Sequence, residues 1–126
     1  MKLFKEITVA TALTFGAIFA QGHGAEAHAH LVSAEPAENK TAMPSPAVLK
    51  LKFSEELNIK FSSVEVLGPD KKNVEVASEA LDPKDAKILI VTFKTALPDG
   101  KYSVNWKAFS QDGHKTHGSY SIEAKQ

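Results

Sequence analysis

The chain has 126 residues with 15 basic and 15 acidic side chains, so it carries no net charge, and it contains neither arginine nor cysteine. Electroneutrality without arginine argues against nucleic-acid binding, which relies on net positive charge and on the guanidinium group. The lack of cysteine excludes disulfides and thiolate sites for zinc, iron–sulfur clusters or blue copper.

Residues 1–27 have the three parts of a secretory signal peptide. Lysines lie near the start, residues 7–20 are largely apolar, and Ala25 and Ala27 present small side chains at the cleavage positions. The apolar run is shorter than the roughly 20 residues that a membrane-spanning helix needs. We therefore predict cleavage after Ala27, export of the protein and a soluble mature domain of residues 28–126. An uncleaved N-terminal anchor is the alternative.

The mature chain consists of short segments of alternating apolar and polar residues, separated by turn residues. In residues 48–53, for example, apolar side chains occupy one face and lysines the other, whereas residues 88–93 are apolar on both faces and suit a central strand. We predict a first strand beginning at His28 and further strands at 48–53, 63–67, 73–77, 88–93, 101–108 and 119–124. Seven short strands in one small domain predict an all-β, antiparallel Greek-key β-sandwich or barrel, either immunoglobulin-like or cupredoxin-like.

Two segments do not follow this alternation. Residues 36–46 contain three prolines and are predicted to form an irregular connection, and residues 79–85 a loop with one helical turn. On the strand at 101–108, Tyr102 and Trp106 share the apolar face and are predicted to pack in the core. Met43 is the one methionine of the mature chain and is expected to pack as filler, so the sequence offers no thioether cluster for Cu(I).

The histidines indicate a metal site. The mature chain has two at its predicted start, His28 and His30, and two near its end, His114 and His117. Cleavage after Ala27 would give His28 a free amine beside its imidazole, a chelate suited to Cu(II). Because loops cluster at the ends of a sandwich, the Asp112-Gly113-His114 segment could meet His28 at one pole. We predict one Cu(II) ion bound by His28 and His114, with Asp112 as a ligand or as a partner that orients one.

His30 and His117 are secondary candidates. A free amine followed by a histidine at the third position can wrap Cu(II) with two deprotonated amides, and His28-Ala29-His30 has that pattern. We favour the joint site, because wrapping would remove backbone groups from a strand ladder. His117 is a spare ligand or a solvated loop residue, and we favour the latter.

The chain resembles the CopC family of periplasmic copper-resistance proteins over nearly all of the mature sequence. The resemblance rests on His28-Ala29-His30-Leu31, Pro36-Ala37, Leu51-Lys52-Phe53-Ser54-Glu55, Pro98 to Gly100, Tyr102, Val104, Trp106, Ala108, Ser110, Asp112, His114 and Gly118. It implies a seven-stranded Greek-key sandwich and a Cu(II) site formed by the positions of His28, Asp112 and His114. Some members also have a methionine-rich Cu(I) site, but residues 64–69 contain no methionine here. The family's late motif often has serine at the position of His117.

The resulting functional prediction is a periplasmic Cu(II)-binding protein of copper homeostasis and resistance. It would sequester copper or deliver it to an inner-membrane copper permease of the CopD type, as a monomer and without enzymatic activity. One alternative is a copper-dependent oxidative enzyme with a histidine brace, as in lytic polysaccharide monooxygenases, although the single tryptophan lies on a core strand. Another is a metal-free accessory β-sandwich, which predicts no tight copper binding.

Overall fold

A computed structural model describes residues 28–126, which form two four-stranded β-sheets packed around one core. The predicted signal peptide, including Ala27, lies outside the described residues. The strands are β1 (Leu31–Glu35), β2 (Thr41–Ala42), β3 (Val48–Phe53), β4 (Ser63–Leu67), β5 (Val76–Asp82), β6 (Asp85–Phe93), β7 (Gly100–Phe109) and β8 (Lys115–Ala124). The first sheet has the order β1-β3-β6-β5 and the second β2-β8-β7-β4. The predicted all-β sandwich is confirmed, with eight strands instead of seven.

Two strands, β2 and β5, differ from the prediction, and both lie where the alternation of apolar and polar residues is weakest. β2 falls inside the predicted irregular connection and pairs in parallel with β8, so the second sheet is mixed. Residues 79–85, predicted as a loop with a helical turn, instead belong to β5 and to its hairpin with β6. The predicted strand at 73–77 was therefore placed too early, since Asn73 forms only an isolated bridge with Leu67. Pairing with the long central strand β6 outweighs the low strand propensity of β5.

The predicted core strands are confirmed. Leu49, Leu51 and Phe53 of β3 are fully buried, while the intervening lysines are exposed. Each fully buried leucine stabilises the fold by about 2 kcal/mol. β6, predicted as a central strand, lies between β3 and β5. Trp106 is buried on β7 and contacts Phe53 of the opposite sheet edge-on, with ring centroids 5.1 Å apart.

The prediction for Met43 is wrong, because its side chain is 65% exposed instead of packed. The preceding residue, Ala42, is the one that points into the core at the edge strand β2. Alternation along an extended chain then turns the next side chain outward. Residues 28–126 contain no helix that is long and apolar enough to cross a membrane.

The topology brings residues 28–30 to the β7–β8 hairpin. β1 is an edge strand that runs antiparallel to β3, so the residues before Leu31 lie beside the end of β3. The β7–β8 hairpin belongs to the other sheet, and its loop spans residues 110–114. The prediction that His28 begins a strand is wrong, since β1 begins at Leu31 and His28 precedes it in irregular structure.

Candidate functional site

A tight turn at the end of β7 positions Asp112 and His114. The backbone N–H of Ser110 donates to the His114 carbonyl at 3.0 Å, and the N–H of Gly113 donates to the Ser110 carbonyl at 2.9 Å. Gly113 has φ of 90°, a conformation that favours glycine. As predicted, Asp112 and His114 lie just beyond the strand that carries Trp106. The turn places Asp112 Oδ1 3.2 Å from His114 Nδ1.

The Asp112 carboxylate is held by hydrogen bonds on its own loop. The hydroxyl of Ser110, a residue that is almost fully buried, donates to Asp112 Oδ1. This bond lowers the pKa of Asp112 below its ordinary value of 3.8, and the His114 side chain and backbone act in the same direction. The carboxylate is therefore ionised at neutral pH and oriented towards His114 Nδ1, an arrangement that fixes the histidine tautomer.

Two side-chain hydroxyl groups, those of Thr116 and Ser54, hold the segment that precedes β1. The Thr116 hydroxyl of β8 donates to the carbonyl oxygen of Ala29 at 2.6 Å, and Ala29 is completely buried. Ser54, directly after β3, accepts from the His30 N–H at 3.0 Å and donates its own N–H to the His30 carbonyl at 2.9 Å. The Ser54 hydroxyl also lies 3.3 Å from the His28 carbonyl, to which it can donate. These contacts hold the peptides on both sides of Ala29, so the position of His28 is set by the fold.

The two histidines predicted to form the site lie together. The imidazole rings of His28 and His114 stack with centroids 4.2 Å apart and planes inclined by 28°. The stacked rings face each other, so their nitrogens do not converge on one point. In the described residues no three His, Asp or Glu side chains form a group arranged to hold a metal. A shared ion therefore requires ring rotation and a further donor.

The secondary candidates occupy different environments. His30 is exposed, and its Nδ1 lies 3.1 Å from the hydroxyl of Ser54. His117, predicted in a loop, instead lies on β8 opposite Lys107, with its side chain exposed. That prediction was wrong because β8 starts four residues earlier than its apolar alternation suggests. The structure brings His28, Asp112 and His114 together, and His117 lines the same groove as His28 and His30.

An open groove beside the histidine pair reaches the core tryptophan. It has a volume of about 470 Å³, and its lining includes His28, His30, Glu38 and Trp106. The indole ring extends over Gly118, where an added Cβ would lie only 2.5 Å from Cζ2 of Trp106. Trp106 is thus a core residue, as predicted, whose edge also lines the groove next to His28.

Sequence reasoning missed Ser54, Thr116 and Ser110 as residues that support the site. Ser110 could have been found, because a hydroxyl two residues before an aspartate in a turn is a common local hydrogen-bonding pattern. Ser54 and Thr116 gave no local signal. Their bonds join positions that are distant in sequence. The contact of Ser54 with His30 extends the pairing of β1 with β3, and the bond from Thr116 to Ala29 exists only once the two sheets have packed.

The profile of the CopC domain family matches residues 31–125 of this chain. Protein YobA of Escherichia coli strain K12 is 37% identical over 99 residues, which cover 79% of this chain and 80% of that protein. Copper resistance protein C of Xanthomonas campestris pv. juglandis is 32% identical over 128 residues, covering 98% of this chain and 100% of the relative. The match to the family begins just after His30, so His28 lies outside it.

Solved structures agree with the sandwich architecture. The crystal structure of CopC from Methylosinus trichosporium OB3b superposes with a TM-score of 0.71 at 26% identity, covering 78% of this chain and 94% of that chain. PcoC, a methionine-rich copper resistance protein from Escherichia coli, gives 0.69 at 29% identity, covering 78% and 99%. The present chain has two methionines, one of them at position 1.

Proposed function

Because the chain belongs to the CopC domain family, we propose that it is a periplasmic Cu(II)-binding protein of copper homeostasis and resistance. Relatives named Copper resistance protein C align over nearly the whole chain and support copper as its ligand. The observation that carries the proposal is the 4.2 Å stack between His28 and His114, which are far apart in the sequence. One Cu(II) ion binds at this end of the sandwich.

The ligands follow from the chemistry of the residues present. His28 supplies a ring nitrogen and, after cleavage, its amine, and His114 supplies a second imidazole. Asp112 provides an oxygen or holds His114 through the contact at Nδ1. The amine is the further donor that the side chains alone do not provide, since no group of three suitable side chains occurs in residues 28–126.

Backbone hydrogen bonds favour this joint site over wrapping by His28-Ala29-His30. Wrapping would deprotonate the amide of His30, but that N–H already donates to the hydroxyl of Ser54. It would also reorient the peptide whose carbonyl, on Ala29, accepts from Thr116. From the sequence we expected wrapping to remove backbone groups from a strand ladder. In the structure, wrapping would also break the hydrogen bonds to the hydroxyls of Ser54 and Thr116.

The exposure of the site suits exchange of the ion with a partner. The side chains of His114 and Asp112 are 50% and 44% exposed. An ion held at this edge can therefore pass from one set of ligands to another without unfolding of the domain. We propose that the monomeric protein sequesters Cu(II) or delivers it to an inner-membrane copper permease of the CopD type. This role involves no bond-breaking step, and we propose no enzymatic activity.

Titration with Cu(II) tests this function directly. Protein recovered from the periplasm is titrated against a competing chelator, in parallel with the variants His114→Ala and His117→Ala. We expect one equivalent of Cu(II) to bind. His114→Ala should lose affinity by at least about tenfold, since loss of a residue that only orients a ligand already has an effect of this size. His117→Ala should change affinity little. Equal affinities in the three proteins, or no tight binding, would refute the proposed site. Copper-dependent peroxide formation with polysaccharide cleavage would instead indicate the oxidative enzyme.

A further inference from the structure

An exposed aromatic side chain stands beside the hairpin that carries Asp112 and His114. Phe61 ends a short 3-10 helix, Ile59–Phe61, and its side chain is 62% exposed. It packs against Phe109 of β7, with ring centroids 5.2 Å apart. The helix is tied to the hairpin by the Asn58 N–H, which donates to the Phe109 carbonyl at 2.8 Å. Phe61 is therefore held in place on the protein surface, where its exposed ring contributes little to the core.

Lysines surround this ring on the outer face of the second sheet. Cross-strand pairing places Lys115 opposite Phe109, and His117 opposite Lys107, with all four side chains on the outward face. The result is a groove of about 390 Å³, lined by Phe61, Lys107, Ala108, Lys115, Thr116 and His117. No carboxylate lines it, and in the described part of the chain neither lysine forms an ion pair. We call this surface the Phe61 groove.

The Phe61 groove adjoins the proposed copper site. It shares Thr116 and His117 with the groove that contains His28 and His30. Thr116 is also the residue whose hydroxyl holds Ala29. A molecule lying in the Phe61 groove would thus be in contact with the strand that borders the histidine pair.

We propose that the Phe61 groove binds an acidic peptide segment with an apolar anchor residue, belonging to the protein that exchanges copper with this chain. The anchor packs against Phe61 and the carboxylates pair with Lys107 and Lys115, since an aromatic anchor surrounded by charge is typical of protein interfaces. Exposed ion pairs are individually weak, so the complex is short-lived and salt-sensitive, as transfer of an ion requires. The identity of the partner rests on the proposed function, whereas the binding chemistry rests on the groove alone.

A short synthetic peptide of aspartates and glutamates with one central phenylalanine tests the proposal on the metal-free protein. We expect NMR chemical-shift changes confined to the residues that line the Phe61 groove, and loss of binding at high salt. The variants Phe61→Ala and Lys107→Glu/Lys115→Glu should each weaken binding at least about tenfold. Matched controls are Val32→Ala, an exposed apolar side chain on β1, and Lys52→Glu, an exposed lysine on β3. Neither control should change binding.

Three results would overturn the proposal: no binding at millimolar peptide, shifts at another surface, or equal losses in the control variants. Sedimentation of the free protein supplies a further test, because a dimer broken by Phe61→Ala would mean that a second copy occupies the groove. Copper titration of the unmodified protein, with Phe61→Ala in parallel as a variant that should still bind copper, separates this inference from the proposed function. Peptide binding without tight copper binding retains the groove and refutes the copper site, whereas the reverse result refutes the groove.

Discussion

The imidazole of His28 stacks on the imidazole of His114. His28 precedes β1 of the first sheet, and His114 lies in the loop between β7 and β8 of the second sheet. The contact depends on hydroxyl groups that fix both segments: Thr116 and Ser54 for the first, Ser110 for the second. The stacked rings alone do not form a metal site. They bring two imidazoles together beside the Asp112 carboxylate, and binding of a shared ion requires the rings to rotate.

The hydroxyl of Thr116 should set the position of His28. Thr116→Val removes the donor to the buried Ala29 carbonyl, which we expect to destabilise the fold by about 1 kcal/mol. Copper affinity should fall by about tenfold, as for other residues that orient ligands. Thr116→Ser keeps the hydroxyl and is the matched control. Urea unfolding and Cu(II) titration measure the two effects, and equal behaviour of the two variants would contradict this role.

Ser110 should control the ionisation of Asp112. Because its hydroxyl bond is the largest cause of the lowered pKa, Ser110→Ala should raise the pKa of Asp112 towards 3.8. Because the pKa of Asp112 is lower in the folded state, its ionisation stabilises the folded state at pH values above 3.8. This contribution to stability is lost as the pH falls through the pKa of the folded state. Carbon-detected NMR titration of the carboxylate measures the shift. Ser121→Ala, on the far half of β8, should leave it unchanged.

Gly118 should be required for the packing of Trp106. Its replacement by alanine puts a Cβ 2.5 Å from Cζ2 of a buried indole, so we expect destabilisation of about 2 kcal/mol. Ser119→Ala, at the exposed neighbouring position, should change stability by less than about 0.5 kcal/mol. Trp106 is the only tryptophan, so its fluorescence reports unfolding by urea. Equal urea unfolding midpoints for Gly118→Ala and Ser119→Ala would contradict this prediction, because the indole would then move without destabilising the fold.

Copper affinity should depend steeply on pH. An amine and two imidazoles must be deprotonated to bind Cu(II), so affinity should fall below about pH 6. Competition titrations across the acidic range measure this dependence. A constant affinity from neutral to acidic pH would be inconsistent with nitrogen ligands.

The sequence predicted those parts of the molecule whose causes are local. The alternation in β3 determines its buried face, and Asp112-Gly113-His114 falls in the turn where it was expected. Alternation failed for β5, whose apolar residues come in two adjacent pairs, and for the start of β8, where His117 and its neighbours are polar or small. There, pairing with a long neighbouring strand decides the structure. The contact between Ser54 and His30 depends on the pairing of β1 with β3, and the bond from Thr116 to Ala29 depends on the packing of the two sheets; no short motif encodes either.

The most direct test of the copper site compares the protein that starts at His28 with a form that retains one additional N-terminal residue, alongside His114→Ala. Mass spectrometry first establishes the N-terminus, and Cu(II) affinity and the electron paramagnetic resonance spectrum are then measured for each. A site shared by the His28 amine and His114 predicts that both altered proteins lose affinity by at least about tenfold and change their spectra. Unchanged binding in the extended protein, or loss in that form alone, would contradict it.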